Sequence, residues 1–265
     1  METKETIDLI YNIFNQPTTA GNDPQYKRPI LSKGSTNAKT AKNDLKTFIL
    51  YLAPYKQNSK GINLCPKASK GCAAACLFTA GRGKFNNVQN ARINKTEYFL
   101  SNKRQFIIQL SIEIVKAYNK AKKGNYKIAF RLNGTSDLDF VYLLLKYANL
   151  DITNLSDHAF FYDYTAILGK AEKYIAHPNY YVTFSRKEDN QLETARAIDH
   201  GINTAVVFSN ALPKTYLGAT VIDADQRDDL MITHKGIILG LRAKGDAKKD
   251  QSGFVIQTDD KGNLI

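Results

Sequence analysis

The chain has 265 residues, 43% of them hydrophobic, and a formal net charge of +12 with its four histidines neutral. That apolar content excludes a disordered chain, and no apolar run reaches the roughly 18 residues of a membrane-spanning helix. The opening Met-Glu-Thr-Lys-Glu lacks the basic-then-apolar plan of a signal peptide, so the expectation is a soluble cytoplasmic protein without a membrane partner.

The excess of Lys and Arg favours a polyanion, DNA, RNA or a nucleotide, as partner. A Lys- and Asn-rich composition without a purpose explains the same charge.

In chain order, residues 1–45 read as an N-terminal extension. Positions 6–14 carry apolar residues at near-helical spacing and predict a docking helix. Positions 16–43 are polar, with Pro, Gly, Ser, Thr and lysines, and predict a loop or mobile arm. Lys39, Lys42 and Lys46 are placed to reach phosphates, and equally to be a solvated basic loop.

Residues 46–265 alternate apolar runs with amphipathic stretches. Strands are predicted at 47–52, 61–64, 127–132, 159–164, 180–184, 204–208, 219–222 and 236–241. Helices are predicted at 87–123, 139–148, 167–175 and 191–200. Such alternation means parallel strands joined by crossovers. The expected fold class is α/β: one partial or full TIM-like β/α barrel behind the N-terminal extension.

In β/α barrels the chemistry sits where strands end. Here the exits are Arg131-Leu-Asn133-Gly134-Thr-Ser136-Asp137, then Asp163-Tyr-Thr, Ser185-Arg186, Ser209-Asn210, Asp223-Ala-Asp225, and Arg242-Ala-Lys244. Asn133, Gly134, Ser136, Ser185, Arg186, Asp223 and Asp225 are therefore expected to orient a cofactor or substrate. Asp137 and Asp163 are the expected catalytic carboxylates, although ordinary strand-end or helix-capping acids read the same way. His234 follows the acidic 223–229 loop and is the best histidine for zinc, but each of the four histidines fits a surface position as well.

All three cysteines fall in one segment, as Cys65, Cys72 and Cys76. Soft thiolates this close point to zinc, copper(I) or an iron–sulfur cluster, and an odd count argues against a disulfide framework. Three ligands leave a four-coordinate site one short. Cys65 is expected at the tip of the 61–64 strand, and a helix beginning near Gly71 would put Cys72 and Cys76 on one face. A glycine turn follows, with Arg82 and Lys84. These residues and Arg242 and Lys244 are expected to form a positive rim for phosphate.

The order of strand, three-cysteine loop, helix, and second strand with a polar tip resembles the radical S-adenosylmethionine superfamily. That likeness implies a [4Fe–4S] cluster with one open iron and S-adenosylmethionine as a possible second cofactor. The spacing C-x6-C-x3-C departs from that family's C-x3-C-x2-C, and its Gly-Gly-Glu turn is replaced by Gly134-Thr-Ser136-Asp137. Cluster binding is thus better supported than S-adenosylmethionine cleavage.

A closer resemblance is to a phage-encoded family, the gene product 88 type. The chain is similar to it in Cys-Pro-x-Ala…Cys-x-x-x-Cys and Ala-Gly-Arg-Gly (65–83), Arg-Leu-Asn-Gly-Thr-Ser-Asp (131–137), Phe-Tyr-Asp-Tyr-Thr (161–165), and the late Asp-x-Asp…Gly-Leu-x-Ala-Lys-Gly-x-Ala (223–247). The resemblance implies a phage protein acting in the host cytoplasm and carries no established activity.

Three functions follow as expectations. The first is a radical-SAM-like iron–sulfur enzyme acting on a nucleic acid, nucleotide or modified base. The second is a base glycosylase or transglycosylase with a structural zinc at the cysteines, using Asp137 or Asp163 as nucleophile or base. The third is a non-catalytic nucleic-acid-binding protein stabilised by metal.

Overall fold

The computed structural model of the chain describes residues 28–36, 40–42, 45–76, 81–227 and 229–265. The helix expected at 6–14, most of the polar arm, Lys39 and Asp228 lie outside them.

Five strands, β2 (Lys46–Leu50), β3 (Ile128–Arg131), β4 (Ala159–Thr165), β5 (Tyr180–Ser185) and β6 (Thr204–Phe208), lie side by side in chain order and all parallel. The sheet continues through β9 (Ile238–Arg242) and β8 (Ala219–Asp223), also parallel, and ends on the antiparallel β7 (Thr215–Tyr216). At the opposite edge β1 (Leu31–Lys33) runs antiparallel to β2. The short β10 (Val255–Ile256) pairs with the Val207–Phe208 half of β6, beyond the Thr204–Ala205 half that pairs with β5.

The α/β class and the parallel strands are as expected from the sequence. The closed form of the barrel is not: the sheet is open, with β1 and β7 at its two edges. Closure would need the two edges to pair, and each is a short antiparallel strand already paired on its inner side.

The strand alternation explains the layers. Ile128, Phe130, Phe161 and Tyr180 face one large core with the helices. Across the register Phe48, Phe130 and Phe161 stand opposite one another, and their rings stack with centroids 5.6 and 5.0 Å apart. Such same-face neighbours are the unit of sheet stabilisation. Onto this face pack α2 (Asn86–Ser101), α3 (Lys103–Lys123) and α4 (Phe140–Ala148), chiefly through Phe99, Phe106, Leu110, Ile114, Phe140 and Leu144. Further along, α5 (Leu168–Tyr174) and α6 (Gln191–Asp199) enclose Phe184 through Leu168, Ala171 and Ala197. The alternate residues Ala129, Tyr162 and Leu239 point the other way and are covered by Ala224 and by Met231 of α7 (Leu230–Thr233). Strands buried on both faces read as near-continuous apolar runs, which is why they stood out in the sequence.

Two predicted elements differ. The single helix over 87–123 is broken at Asn102, whose φ −134°, ψ 54° is non-helical, and which ends α2 and opens α3. Ser101-Asn102 is a weak helix-forming pair because both side chains compete for the backbone. The strand at 61–64 does not form. Gly61 takes φ +61°, and Asn58 folds the segment into a turn, its side chain accepting from Ile62 N (3.0 Å) and donating to Ile62 O (2.7 Å).

The strand β1 was hidden in polar sequence. Glu113 of α3 holds it, accepting from Ile30 N and Leu31 N, both at 2.8 Å. No described helix is long and apolar enough to cross a membrane.

Candidate functional site

The carboxyl end of β3 leads into a loop that is fastened on every side. Gly134 N donates to Leu50 O at the end of β2 (2.9 Å), and Thr135 Oγ1 donates to Leu52 O. A side chain at Gly134 would place its Cβ 2.6 Å from the Tyr51 ring and 2.8 Å from Leu50 O, so the close approach requires glycine. Gly134→Ala is expected to cost about 1–3 kcal/mol through overpacking. Denaturant unfolding measures this, and unchanged stability would contradict the packing described.

Asn133 and Asp163 form the centre of the loop. Asp163, 1% exposed, accepts from Asn133 N (2.7 Å), Asn133 Nδ2 (3.0 Å) and Tyr180 Oη (3.2 Å). Asn133 Oδ1 in turn accepts from Ser136 Oγ and Leu138 N. Burial pushes the Asp163 carboxyl up to about 6, against the opposing pull of Lys170 and of the Asn133 N–H.

Asp137, also buried, accepts from Thr165 Oγ1 (2.7 Å), Ala166 N (2.8 Å) and Lys170 Nζ (3.0 Å). Both carboxylates expected to be catalytic thus serve as acceptors for buried donors that lock the ends of β3, β4 and α5 together. Ser136 is likewise turned inward to Asn133.

The first cysteine meets this loop. Asp137 N donates to Leu64 O (2.9 Å), which sets Cys65 beside the exit of β3, with its Sγ 3.8 Å from Thr135 O. Cys65 is therefore delivered by a turn rather than by a strand tip. A helical turn does begin near Gly71, as α1 (Lys70–Ala74), capped by Ser69, whose Oγ accepts from Cys72 N (3.1 Å), but it ends before Cys76, so the helical face expected to carry both Cys72 and Cys76 does not form. Cys76 lies just past its end.

Glu188, beyond the tip of β5, pins the start of α1 by accepting from Ser69 Oγ and Gly71 N, both at 2.7 Å. None of the three cysteines forms a disulfide, and all three are partly buried. Burial pushes the Cys65 thiol up to about 11, with Cys76 and Asp137 adding to it against a backbone hydrogen bond from Tyr55. The Cys72 thiol rises to about 12, first by burial and then by the neighbouring Cys76, Cys65 and Glu188, against Lys187.

Two buried cations flank the thiols. Lys187, whose Nζ bonds Asp189 at 2.7 Å, acts on Cys72. Arg92, stacked over the Tyr51 ring at 4.8 Å, acts on Cys76, and burial holds its guanidinium below the ordinary range.

The remaining exits are engaged differently. Arg186 is buried, and its Nη1 donates to Gly253 O and Phe254 O, tying β5 to the C-terminal segment. Ser185 O accepts from Asn190 Nδ2.

Asp223 and Asp225 pair with Arg242 (2.9 and 3.1 Å), and Asp225 also with Lys244 (2.6 Å). Lys244 and Arg242 help to hold the Asp225 carboxyl below the usual range, although burial pulls the other way. Two residues expected to orient a cofactor or substrate and two of the four expected to form a phosphate rim therefore neutralise each other. Arg82 and Lys84 are exposed on the turn Gly81–Lys84 that leads into α2. His234 is exposed at the end of α7, its Nδ1 3.0 Å from Leu230 O.

Sequence reasoning missed Lys170, Tyr180, Lys187, Glu188 and Arg92, which become site residues only through tertiary packing. A weak signal existed for two of them, since Lys187 and Glu188 directly follow the polar exit Ser185-Arg186.

The fold and site define an open, mostly parallel α/β protein with a cysteine corner at the carboxyl edge of its sheet. The chain belongs to the gene product 88 family, whose model matches residues 29–258. No curated protein and no solved structure matches it.

Proposed function

We propose that Cys65, Cys72 and Cys76 are the ligands of one metal centre, a [4Fe–4S] cluster in preference to zinc, and that the chain is an enzyme acting on a small molecule beside it. The observation that carries this reading is that the chain's only three cysteines fall in one segment, with Cys65 beside the exit of β3 and Cys72 within electrostatic reach of both Cys65 and Cys76.

The donor set fits such a centre in kind and number. Sulfur selects iron–sulfur clusters or zinc, and three ligands leave one position for a non-protein molecule. Among the described residues no three His, Cys, Asp or Glu side chains are grouped as metal ligands would be. Binding of either metal centre would therefore have to draw the three thiols together. Buried thiols with raised pKa values are poor hosts for bare negative charge, and a bound cation is what would stabilise them as thiolates.

When bound, the cluster would supply an open iron for a small molecule, S-adenosylmethionine among them. The chain's own residues would do the rest. Lys187 and Arg92 offset the negative charge of the thiolates. The Asn133–Asp163 and Asp137–Lys170 bonds hold the wall against which the molecule would lie. Arg82 and Lys84, exposed on the turn after the cysteines, favour a phosphate-bearing substrate such as a nucleotide.

Cys72→Ser, prepared anaerobically beside the wild type, is expected to lose iron and acid-labile sulfide together. Full retention of both would overturn the assignment of Cys72 as a ligand.

A further inference from the structure

Arg242 and Lys244 are paired with Asp223 and Asp225, whereas a second concentration of positive charge lies on the helical side of the sheet. Residues 86–127 hold nine Lys and Arg against only Glu97 and Glu113. Glu113 accepts from the backbone at the start of β1, and Glu97 from Ser59.

Every exposed residue of α3 is basic: Lys103, Arg104, Lys116, Lys120, Lys122 and Lys123. Lys122 leans toward Asp157 at 3.7 Å. Lys116, Lys120 and Lys123 follow one another at i, i+4 and i+7, which puts them on one face of the helix, about 6 and 4.5 Å apart along its axis. Just past the helix, Lys127 lies over the Phe160 ring (5.1 Å) and Lys46 over the Tyr126 ring (5.4 Å), both exposed and both at the amino ends of their strands. The row therefore runs onto the end of the sheet opposite the cysteine corner.

Compensation of the helix dipole accounts for basic residues in the last turn. It does not account for Lys116, well before that turn, or for Lys46 and Lys127 outside the helix.

We propose that Lys116, Lys120, Lys123, Lys127 and Lys46 form a docking surface for the phosphodiester backbone of a nucleic acid, remote from the cysteines. A backbone carrying one phosphate per about 3.4 Å of axis on each strand matches a linear row of cations at this spacing. A lipid surface fits less well, because no exposed apolar residue of α3 accompanies the lysines and its apolar face is buried in the core. With no base-reading side chains in the row, recognition is independent of sequence. The inference stands apart from the metal centre and does not depend on it.

The test is fluorescence anisotropy of the full chain with a labelled 25-base-pair DNA duplex and with a labelled single-stranded RNA, over a series of salt concentrations. For the duplex, log K is expected to fall with log salt at a slope of roughly −3 to −5. The Lys116→Glu/Lys120→Glu/Lys123→Glu variant should bind at least about tenfold more weakly, with a slope shallower by about 3. The same three positions changed to Gln should fall between it and the wild type. Circular dichroism and metal content should be unchanged in the lysine variants, which separates this outcome from failure of the cysteine assignment. Absence of binding to either polymer at about 50 mM salt would overturn the proposal. So would equal binding by the triple variant, or stronger binding to phosphatidylserine vesicles than to either nucleic acid.

Discussion

Lys170→Met should destabilise the fold by about 3–5 kcal/mol, the cost of stranding one member of a buried ion pair. The side chains of Lys170 and Asp137 are 6% and 10% exposed, and their charged atoms lie 3.0 Å apart. Methionine keeps most of the aliphatic stem, so lost packing contributes little. What remains is a buried carboxylate held only by Thr165 Oγ1 and Ala166 N, and a Leu138 carbonyl without its ammonium donor. For a chain of this size the melting temperature should drop by roughly 6–15 °C. Because Asp137 N also fixes Leu64 O, the damage should reach the cysteine segment, and thiol accessibility to a labelling reagent should rise with the loss of stability. A change below about 1 kcal/mol, the range of an exposed pair, would show that the pair does not organise the loop.

Asp163→Ala should be comparably severe. It removes the acceptor for three buried donors, Asn133 N, Asn133 Nδ2 and Tyr180 Oη. At about 1–3 kcal/mol for each stranded group, with relaxation between them, the expected loss is about 3–6 kcal/mol.

The same carboxyl makes stability depend on pH. Its folded value is raised to about 6 by burial, from an ordinary value of 3.8. Between those values the folded chain binds a proton that the unfolded chain releases. The contribution is therefore complete below about pH 4 and is lost as pH rises through about 6, amounting to something on the order of 3 kcal/mol. Asp163→Asn, which keeps the shape and cannot titrate, should flatten that part of the profile. A wild-type profile rising from pH 4 to 6 with the same slope in Asp163→Asn would contradict the assignment.

Much of the sheet could be read from the sequence because its strands are buried on both faces and carry almost unbroken apolar runs. Thr204–Phe208 is the clearest example, with both ends where the pattern put them. The polar exits also marked the end of the sheet where Asn133, Asp137 and Asp163 gather. Elements decided by single residues were harder. Asn102 splits a long helical pattern through its own backbone conformation, and Asn58 turns an apolar tetrapeptide away from the sheet. The edge strands β1, β7 and β10 are too short to show a period of two, and β1 depends on a carboxylate 82 and 83 positions away.

The partners of the site were invisible for a related reason. Lys170 lies on α5 and Glu188 after β5, and in sequence each is an ordinary surface-type residue. Only crossover packing brings the first to Asp137 and the second to the cap of α1. Conversely, Asp223, Asp225, Arg242 and Lys244 looked like two separate sites because their mutual neutralisation depends on β8 lying beside β9.

The central claim is that the three cysteines share one cluster, and its most direct test is the metal and sulfide content of the full chain purified without oxygen. About four iron and four acid-labile sulfide per chain are expected, with the broad absorbance of a [4Fe–4S] centre. Stoichiometric zinc, or chain free of metal that takes up no iron and sulfide on anaerobic reconstitution, would contradict it.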